Sequence, residues 1–134
     1  MHPLFNSADK LSHTVIGAAL EVHRLKGPGL IESIYEKCLM HELHLRDVHA
    51  VDQSSVQVEY KGFIFDEPLE FGVLVEDCLL LELKSVQTVL PIHKAQLFSY
   101  MKLLDVPLGL IINFNELKLA DGIARMILPG ANQS

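Results

Sequence analysis

Cysteine is scarce in this chain, which has only Cys38 and Cys78 among its 134 residues. Two scattered thiols are too few for a disulfide framework or a zinc site. Both lie in apolar stretches of sequence, which predicts buried free thiols in a reducing compartment. We therefore expect a cytoplasmic protein.

Positive charge is also in short supply, with 11 Lys and Arg against 17 Asp and Glu and a formal net charge of −6. Contacts with duplex phosphates need concentrated Lys and Arg side chains. This balance argues against a dedicated duplex-binding surface but is compatible with a local basic rim. Any binding of DNA or RNA is expected to be weak and strongly salt-dependent.

Long apolar runs are absent as well. The longest, such as residues 106–114, are far too short to cross a bilayer, so we expect no membrane partner. Residues 1–5 contain no basic segment followed by an apolar one, and we expect no signal peptide. The composition, 49% hydrophobic and 21% charged, is typical of a globular protein. The length suffices for one domain with one core, spanning residues 1–134 with frayed ends.

The spacing of apolar residues predicts three helices. Ser7 is a candidate N-cap for the first, which the Gly-Pro-Gly sequence at 27–29 ends sharply. The apolar stripe of this helix consists of Leu11, Val15, Ala18, Val22 and Leu25. The second helix is predicted over residues 30–45. Its expected buried positions are Ile31, Ile34, Cys38 and Leu39. The third begins with Pro91 and continues over residues 92–104.

After residue 46 the pattern changes to the alternation typical of strands. The predicted strands cover residues 56–60, 63–65, 69–75, 78–86, 108–113 and 123–127. Turns are expected at 61–62 and 76–77, and residues 66–68 are expected to break the pattern. The strand over 78–86 is almost continuously apolar, which predicts a central strand covered on both faces. This order of elements predicts a single mixed α/β layer fold.

Glu82 and Lys84 are the first candidates for chemistry. They point to the same side of a strand because strand side chains alternate. A carboxylate can hold a hard cation while a neighbouring ammonium steadies an attacking water, a combination that suits phosphodiester cleavage. The alternative is a surface ion pair near a strand end. Because charges on so apolar a strand are costly unless paired or metal-bound, we favour the functional interpretation.

Two further sets of residues have a strong structural alternative. Glu32 lies in the first turn of the second helix beside Tyr35, but a first-turn glutamate also favours the helix dipole. His93, Gln96 and Tyr100 share one face of the third helix. On spacing alone, that polar stripe is interpreted as the solvated face.

Gly72 and Glu70 share one face of the strand that precedes the Glu82 strand. A cation site of this kind usually takes a second acidic ligand from that neighbouring strand. Gly72 supplies no side chain at the expected position, and Glu70 is a nearby substitute. The predicted site is therefore incomplete.

Four segments together resemble a known family. They are GPGLIESIYEKCLMHEL, VLVEDCLLLELKSV, HKAQLFSYMKLL and GLIINF, in this order and spacing. Over residues 16–125 the chain is similar to the GxxExxY protein family, which belongs to the PD-(D/E)xK nuclease superfamily. The resemblance implies a nuclease-like α/β fold with a central mixed β-sheet flanked by helices. It also implies a site for Mg²⁺ or Mn²⁺ at the sheet edge.

The same resemblance implies a role for each candidate residue. Glu32 resembles the helix carboxylate that completes such metal sites, and Glu82 would be the second metal ligand. Glu82 and Lys84 match the catalytic E-x-K pair. Gln96 and Tyr100 match the Q-x-x-x-Y helix motif, which positions nucleic acid near the metal.

The chain also departs from the family pattern. The family strand before E-x-K typically reads Tyr-Arg-x-Asp-Leu-x-Val, whereas this chain has Gly72 at the Asp and Glu70 at the Arg. A metal ligand is lost, although Glu70 is a candidate substitute, and a phosphate-binding cation becomes an anion. We therefore predict weak Mg²⁺ binding and weakened or lost phosphodiester hydrolysis on nucleic acid. The alternative is a non-catalytic binding or assembly module that retains the fold and binds a protein partner or a second copy.

These assignments predict a specific geometry. Glu32, Glu82 and Lys84 should converge on one cleft at the sheet edge, with Gly72 facing it. A Gly72→Asp change should then strengthen cation binding, because such sites depend on ligand number and geometry.

Overall fold

The computed structural model describes residues 1–69 and 72–134 of the chain. The helices of this part are α1 (Phe5–Lys26), α2 (Glu32–Leu45) and α3 (Pro91–Leu104), with a short 3₁₀ helix at Leu119–Gly122. The strands are β1 (Ala50–Val51), β2 (Ser54–Tyr60), β3 (Phe63–Leu69), β4 (Val73–Val75), β5 (Leu79–Lys84), β6 (Leu108–Asn113) and β7 (Ile123–Ile127). None of these described helices is long and apolar enough to cross a bilayer.

Within the described residues, five strands form one sheet in the order β1-β4-β5-β6-β7, while β2 and β3 form a separate hairpin. Strands β5 and β6 are parallel, and the other neighbours in the five-stranded sheet are antiparallel. The parallel register places Glu82 beside Ile111 and Lys84 beside Asn113. The predicted α/β fold, with a central mixed sheet and flanking helices, is confirmed.

Strand β5 separates two apolar layers. Leu79, Leu81 and Leu83 pack in a buried cluster with residues of α1 and α2. Leu80 points to the opposite face, in a second cluster with Leu97 of α3. Alternation along the strand produces this division. The prediction of a central strand covered on both faces is confirmed.

Helix α1 extends further towards the N-terminus than its sequence pattern indicated. Phe5 and Ala8 are buried and continue the apolar stripe by one more turn, so the helix begins at Phe5. Ser7 therefore lies inside α1 and is not its N-cap. Leu25, expected in the buried stripe, is 63% exposed because it lies in the last turn, after the last buried residue, Val22.

Helix α2 is present, but two of its predicted buried residues are wrong. Ile31 precedes the helix and Ile34 lies on its outer side, with exposures of 67% and 39%. The buried face consists instead of Tyr35, Leu39 and Leu43, four residues apart. Apolar residues occur on both sides of α2, so spacing alone did not determine which side packs against the sheet.

Several strands differ from the prediction. The sequence did not predict β1, and β2 begins at Ser54 rather than at residue 56. Strand β3 is not broken at residues 66–68 but continues to Leu69. Proline is tolerated there because β3 has no paired strand on its outer side among the described residues. In place of the strand predicted over 69–75, β4 covers Val73–Val75, and residues 70 and 71 lie outside the described residues. Strand β5 ends at Lys84 rather than at residue 86.

The remaining boundaries agree closely with the sequence. The helical start at Pro91 and the bounds of β6 and β7 are confirmed. Glu76 and Asp77 form the predicted turn with φ of +49° and +57°, and the Cys78 N–H donates to the Val75 carbonyl at 3.0 Å. Two positive φ values are typical of a tight hairpin turn.

The two thiols are free within the described residues. Cys78 is buried, and burial raises the pKa of its thiol. Cys38 is only half-buried, because it lies beside the buried face of α2 rather than on it. The prediction of burial is therefore confirmed for Cys78 and wrong for Cys38.

Candidate functional site

Glu82 lies in the interior of the central strand and is only 1% exposed. It shares the face of β5 that α3 covers, since Leu80 packs against Leu97 of that helix. Neither carboxylate oxygen has a hydrogen-bond partner among the described residues. Burying an ionised carboxylate without donors is strongly unfavourable. The two carboxylate oxygens of Glu82 are therefore buried and accept no hydrogen bond from the described residues.

Lys84 supplies an opposite charge to this acid. Its Nζ lies 3.2 Å from Glu82 Oε1, and its side chain is 16% exposed. The two groups are at ion-pair distance but are not aligned as a hydrogen bond, so the described donors leave Glu82 unsatisfied. Burial raises the pKa of the Glu82 carboxyl, and the polar contact with the Lys84 ammonium and the charge of that ammonium oppose part of this shift.

Glu32 reaches the same end of β5 from the opposite layer of the fold. It is the first residue of α2, and its Oε1 accepts a hydrogen bond from the Ser85 N–H at 3.4 Å. Ser85 directly follows Lys84, the last residue of β5. The negative charge of Glu32 contributes to the raised pKa of Glu82. Glu32 and Lys84 thus lie at the carboxyl end of the central strand, and Glu82 lies two residues before that end.

Tyr35 anchors the loop that leads into Glu32. Its hydroxyl donates to the Gly27 carbonyl and accepts from the Leu30 N–H. Its ring is fully buried and stacks on Phe114, with ring centroids 4.4 Å apart. The sequence interpretation treated Tyr35 only as a neighbour of Glu32. Its contacts show that it fixes the loop from which α2 begins.

Ser85 attaches the same loop to the end of β5 and was missed by sequence reasoning. Its hydroxyl donates to the Leu30 carbonyl, and its N–H donates to the Glu32 carboxylate. A serine after a strand is common in turns, so its type alone carried no functional signal. Its position directly after the E-x-K pair was the available clue.

Asn113 is a second residue that the sequence interpretation missed. It is 1% exposed and lies beside Lys84 in the parallel register. Its Oδ1 accepts from the Val86 N–H at 3.1 Å, and its Nδ2 donates to the Val86 carbonyl at 2.9 Å. The next residue, Phe114, donates its N–H to the Lys84 carbonyl at 2.8 Å. Asn113 therefore fixes the chain just after the E-x-K pair. The clue available in the sequence was a polar residue at the end of an otherwise apolar strand.

Gly72 lies opposite Glu82 when the β4-β5 register, with Val73 beside Leu81, is continued by one residue. Its φ of +87° is unfavourable for a residue with a Cβ. A Cβ added there would lie 2.6 Å from the Leu81 carbonyl oxygen. An aspartate therefore fits at this position only if the backbone shifts. Glu70, the candidate substitute ligand, lies outside the described residues.

Helix α3 covers the face of β5 that holds Glu82. His93, Gln96 and Tyr100 lie along this helix and are all half-buried, so their interpretation as a solvated face is wrong. Tyr100 packs against the apolar cluster between α3 and the sheet. The His93 Nδ1 accepts from the Leu90 N–H at 3.0 Å, so neutral His93 carries its proton on Nε2. Gln96 forms no hydrogen bond with Glu82 in the described part of the chain.

Few side chains in the described part of the chain are available to hold a cation. Across residues 1–69 and 72–134, no group of three or more His, Cys, Asp or Glu is arranged to hold a metal ion. Glu82 and Glu32 offer two carboxylates, and the Glu82 oxygens are not used by described hydrogen-bond donors. Mg²⁺ is commonly bound through one or two carboxylates and keeps several of its waters. Two such ligands are consistent with that mode of binding.

Comparison with known proteins gives a family match for this chain. The model of the PD-(D/E)XK nuclease superfamily matches residues 9–126. The matched segment contains Glu32, Gly72, Glu82, Lys84 and Asn113. Neither the curated proteins nor the solved structures give a match.

Proposed function

Since the chain belongs to the PD-(D/E)XK nuclease superfamily, we propose that it hydrolyses phosphodiester bonds in nucleic acid at a site of low affinity for Mg²⁺ or Mn²⁺. Within the superfamily we assign it to the GxxExxY family, on the spacing of Gly29, Glu32 and Tyr35. The observation that carries the proposal is the burial of Glu82. Neither of its carboxylate oxygens accepts a hydrogen bond from the described residues.

The ion pair with Lys84 gives only part of the reason for an acid at this position, because neither Glu82 oxygen has an aligned hydrogen-bond donor among the described residues. An unsatisfied buried polar group costs about 1–3 kcal/mol, and more when it is charged. An apolar residue would remove that cost on a strand whose neighbours Leu81 and Leu83 are apolar and buried. A divalent cation would instead use the free oxygens and offset the burial of their charge. Cation binding therefore accounts for an acid that packing does not explain.

The proposed roles follow from chemistry and position. Glu82 and Glu32 would hold the cation, which would polarise the phosphoryl group and acidify its bound water. Lys84 would orient the attacking water and stabilise developing negative charge. Gln96 and Tyr100 would position the nucleic acid on the α3 side. Glu70 is proposed as a further ligand, in place of the missing strand aspartate.

Gly72 is the reason to propose low affinity and slow turnover. The site depends on the number and geometry of its oxygen ligands, and Gly72 contributes no side chain. Its positive φ and its closeness to the Leu81 carbonyl mean that the missing carboxylate is not accommodated by the present backbone. We therefore expect slow cleavage, or none, of duplex DNA even with Mn²⁺.

A second candidate function is a non-catalytic binding or assembly module. The Gly72 backbone and the formal net charge of −6 both favour it, because they weaken metal and phosphate binding. The β2-β3 hairpin also exposes Tyr60, Phe63 and Ile64, each 59–64% accessible. Exposed apolar side chains grouped in this way are typical of contact with another protein chain.

Calorimetric titration with Mg²⁺ and Mn²⁺, run beside a nuclease assay, tests the first candidate. Wild type should bind the cation weakly, and Glu82→Gln should abolish the binding heat because it removes the buried carboxylate. Asp66→Asn is the matched control, since it removes a carboxylate exposed on the hairpin. Binding should be unchanged in this control.

The two assays together separate the candidates. Metal-dependent cleavage that disappears in Glu82→Gln supports hydrolysis. Cation binding without cleavage of single-stranded or duplex substrates supports the module. Absence of binding by wild type, or equal binding by wild type and Glu82→Gln, contradicts the proposed metal site.

A further inference from the structure

A cavity of about 400 Å³ lies beside the E-x-K pair at the carboxyl end of β6. Asn113 forms part of its wall and is the cross-strand neighbour of Lys84. Neighbouring strands are about 4.8 Å apart, so the cavity begins within about 10 Å of the Lys84 backbone. Ligand pockets commonly have volumes of about 300–1,000 Å³, and this cavity is at the small end of that range.

The cavity opens on the same side of the sheet as the candidate metal site. Ala124 lines it and also belongs to the apolar cluster under α3, while Lys94 reaches it from α3 itself. Glu82 and Lys84 point to this α3 side as well, because they follow Leu80 at alternate positions. A polymeric ligand that runs past Lys84 could therefore place one of its side groups in the cavity while it stays on this side of the sheet.

The lining of the cavity carries charges of both signs. Lys94 reaches it from α3, and Glu116 and Asp121 add two carboxylates. Gln87 and Thr88, from the segment after β5, add uncharged polar groups. The Asn113 amide is already bonded to Val86, so it is not available to select a ligand. A ligand that carries both a phosphate and hydrogen-bond donors fits a lining of this composition.

We propose that this cavity binds one unpaired base of a single nucleic-acid strand whose phosphates pass Lys84 and Lys94. The inference rests on the proposed function, because it concerns the strand that this site would cleave. Carboxylates accept hydrogen bonds from amino groups such as N4 of cytosine, whereas thymine presents only a carbonyl and a methyl group at that position. Glu116 and Asp121 therefore favour amino-bearing bases over thymine.

A duplex fits the same surface poorly. Its bases are stacked and use their pairing edges, so a base must be flipped out before it can enter a pocket. The second strand would also bring its phosphates close to an acidic protein with a formal net charge of −6. Single strands avoid both costs, and the pairing edges of their unpaired bases are free to form hydrogen bonds with a protein.

Fluorescence anisotropy without divalent metal tests the inference separately from cleavage. The probes are end-labelled oligodeoxycytidylate and oligothymidylate of equal length, and a mixed-sequence duplex. The cytidylate should bind about tenfold more tightly than the thymidylate, the discrimination expected of one or two good base contacts. The duplex should bind more weakly than either single strand.

The variants Asp121→Ala and Glu116→Ala should remove this preference. Affinity for thymidylate should stay the same or rise, because a negative charge has been removed from a site that binds a polyanion. Lys94→Gln should weaken both single strands alike and keep the preference. Asp66→Ala, on the hairpin, is the control and should change nothing. Asp121 is solvent-exposed, so its variant tests the preference with little risk to folding.

Equal affinity for the two homopolymers, a preference that survives in both alanine variants, or tighter duplex binding would overturn the inference. So would free deoxycytidine monophosphate that competes as well as the oligomer, since that result indicates a small-molecule site. A clear base preference, together with no cleavage in the separate nuclease assay with Mg²⁺ or Mn²⁺, refutes the proposed hydrolysis but still supports the base-binding cavity. Cleavage without a base preference refutes the cavity assignment alone.

Discussion

The two faces of strand β5 bury different kinds of side chain. On the face towards α1 and α2, Leu81 and Leu83 pack among other buried apolar residues. On the face towards α3, Leu80 is followed by Glu82 and then by Lys84, so the apolar row is interrupted halfway along the strand. One strand of six residues therefore contributes to the core on one side and to a polar site on the other.

Packing explains the first face without any appeal to function. Apolar burial is favourable, and each buried leucine is consistent with the fold around it. The second face is not locally consistent, because Glu82 is buried and its oxygens have no described donor. Departures of this kind occur where function rather than stability determines the residue. The contrast between the faces therefore identifies the candidate site more directly than the E-x-K pattern alone.

The largest expected effect belongs to the apolar face. Leu81→Ala should lower the free energy of unfolding by about 3 kcal/mol, because it removes a fully buried side chain and leaves a cavity. Urea denaturation followed by circular dichroism measures this loss. Leu117→Ala is the matched control, since Leu117 is 90% exposed and should have almost no effect. Similar losses in the two variants would contradict the description of this face as core.

Gly72 gives the next largest effect. Gly72→Asp and Gly72→Ala should each lower the free energy of unfolding by about 2 kcal/mol, because both place a Cβ at positive φ against the Leu81 carbonyl. Mg²⁺ should stabilise the aspartate variant more than the alanine variant, since only the aspartate adds a new carboxylate. Thermal melts with and without Mg²⁺ measure both effects. An equal Mg²⁺ response in the two variants would mean that position 72 does not face the cation.

The parts of the fold that could be predicted are those in which a helix or strand is determined by its own local sequence. The apolar runs of β5, β6 and β7 and the start of α3 at Pro91 were predictable because they depend on local sequence. The packed side of α2 was not, since Ile31 and Ile34 are as apolar as the residues that are buried. Only contact with the sheet selects the Tyr35 side of that helix.

The candidate site also combines residues that local sequence could identify with residues that it could not. Glu82 and Lys84 were recognisable because charges stand out on an apolar strand. Ser85 and Asn113 were not, because their importance lies in partners distant along the chain. The Ser85 hydroxyl binds a carbonyl 55 positions away, and the Asn113 amide binds Val86, 27 positions away. No local pattern encodes such contacts, so they became visible only in the folded chain.

Replacing both members of the Glu82–Lys84 ion pair should produce a smaller change of opposite sign. The double variant Glu82→Met, Lys84→Met puts apolar chains in place of both charges, leaves neither charge unpaired, and should raise the free energy of unfolding by about 1 kcal/mol at neutral pH. Wild type should gain stability from Mg²⁺, whereas the variant should not. Urea denaturation at several pH values, with and without Mg²⁺, measures both differences. Asp66→Asn should follow the wild-type profile throughout.

The pH dependence of this difference has a definite direction. Burial raises the pKa of Glu82 in the folded chain above its ordinary value of 4.5, so the native state favours the neutral acid. At pH values below 4.5 Glu82 is protonated in both the folded and the unfolded chain, so its burial carries no cost of burying a charge. As the pH rises towards the folded pKa the penalty grows, and above it the penalty is constant. A variant that is less stable than wild type at neutral pH, or a difference independent of pH, would contradict the description of Glu82 as a buried acid that Lys84 compensates only in part.

The smallest expected change in stability comes from Ser85, which connects the two faces through the Glu32 loop. Ser85→Ala removes the hydrogen bond to the Leu30 carbonyl and should lower the free energy of unfolding by about 0.5–1 kcal/mol. It should also weaken Mg²⁺ binding severalfold, because Glu32 is then less firmly held against the end of β5. Calorimetric titration measures that affinity, and Ser99→Ala, on the exposed side of α3, is the matched control. Unchanged Mg²⁺ affinity in a destabilised Ser85→Ala protein would show that the serine supports the fold alone, and that Glu32 reaches the site without it.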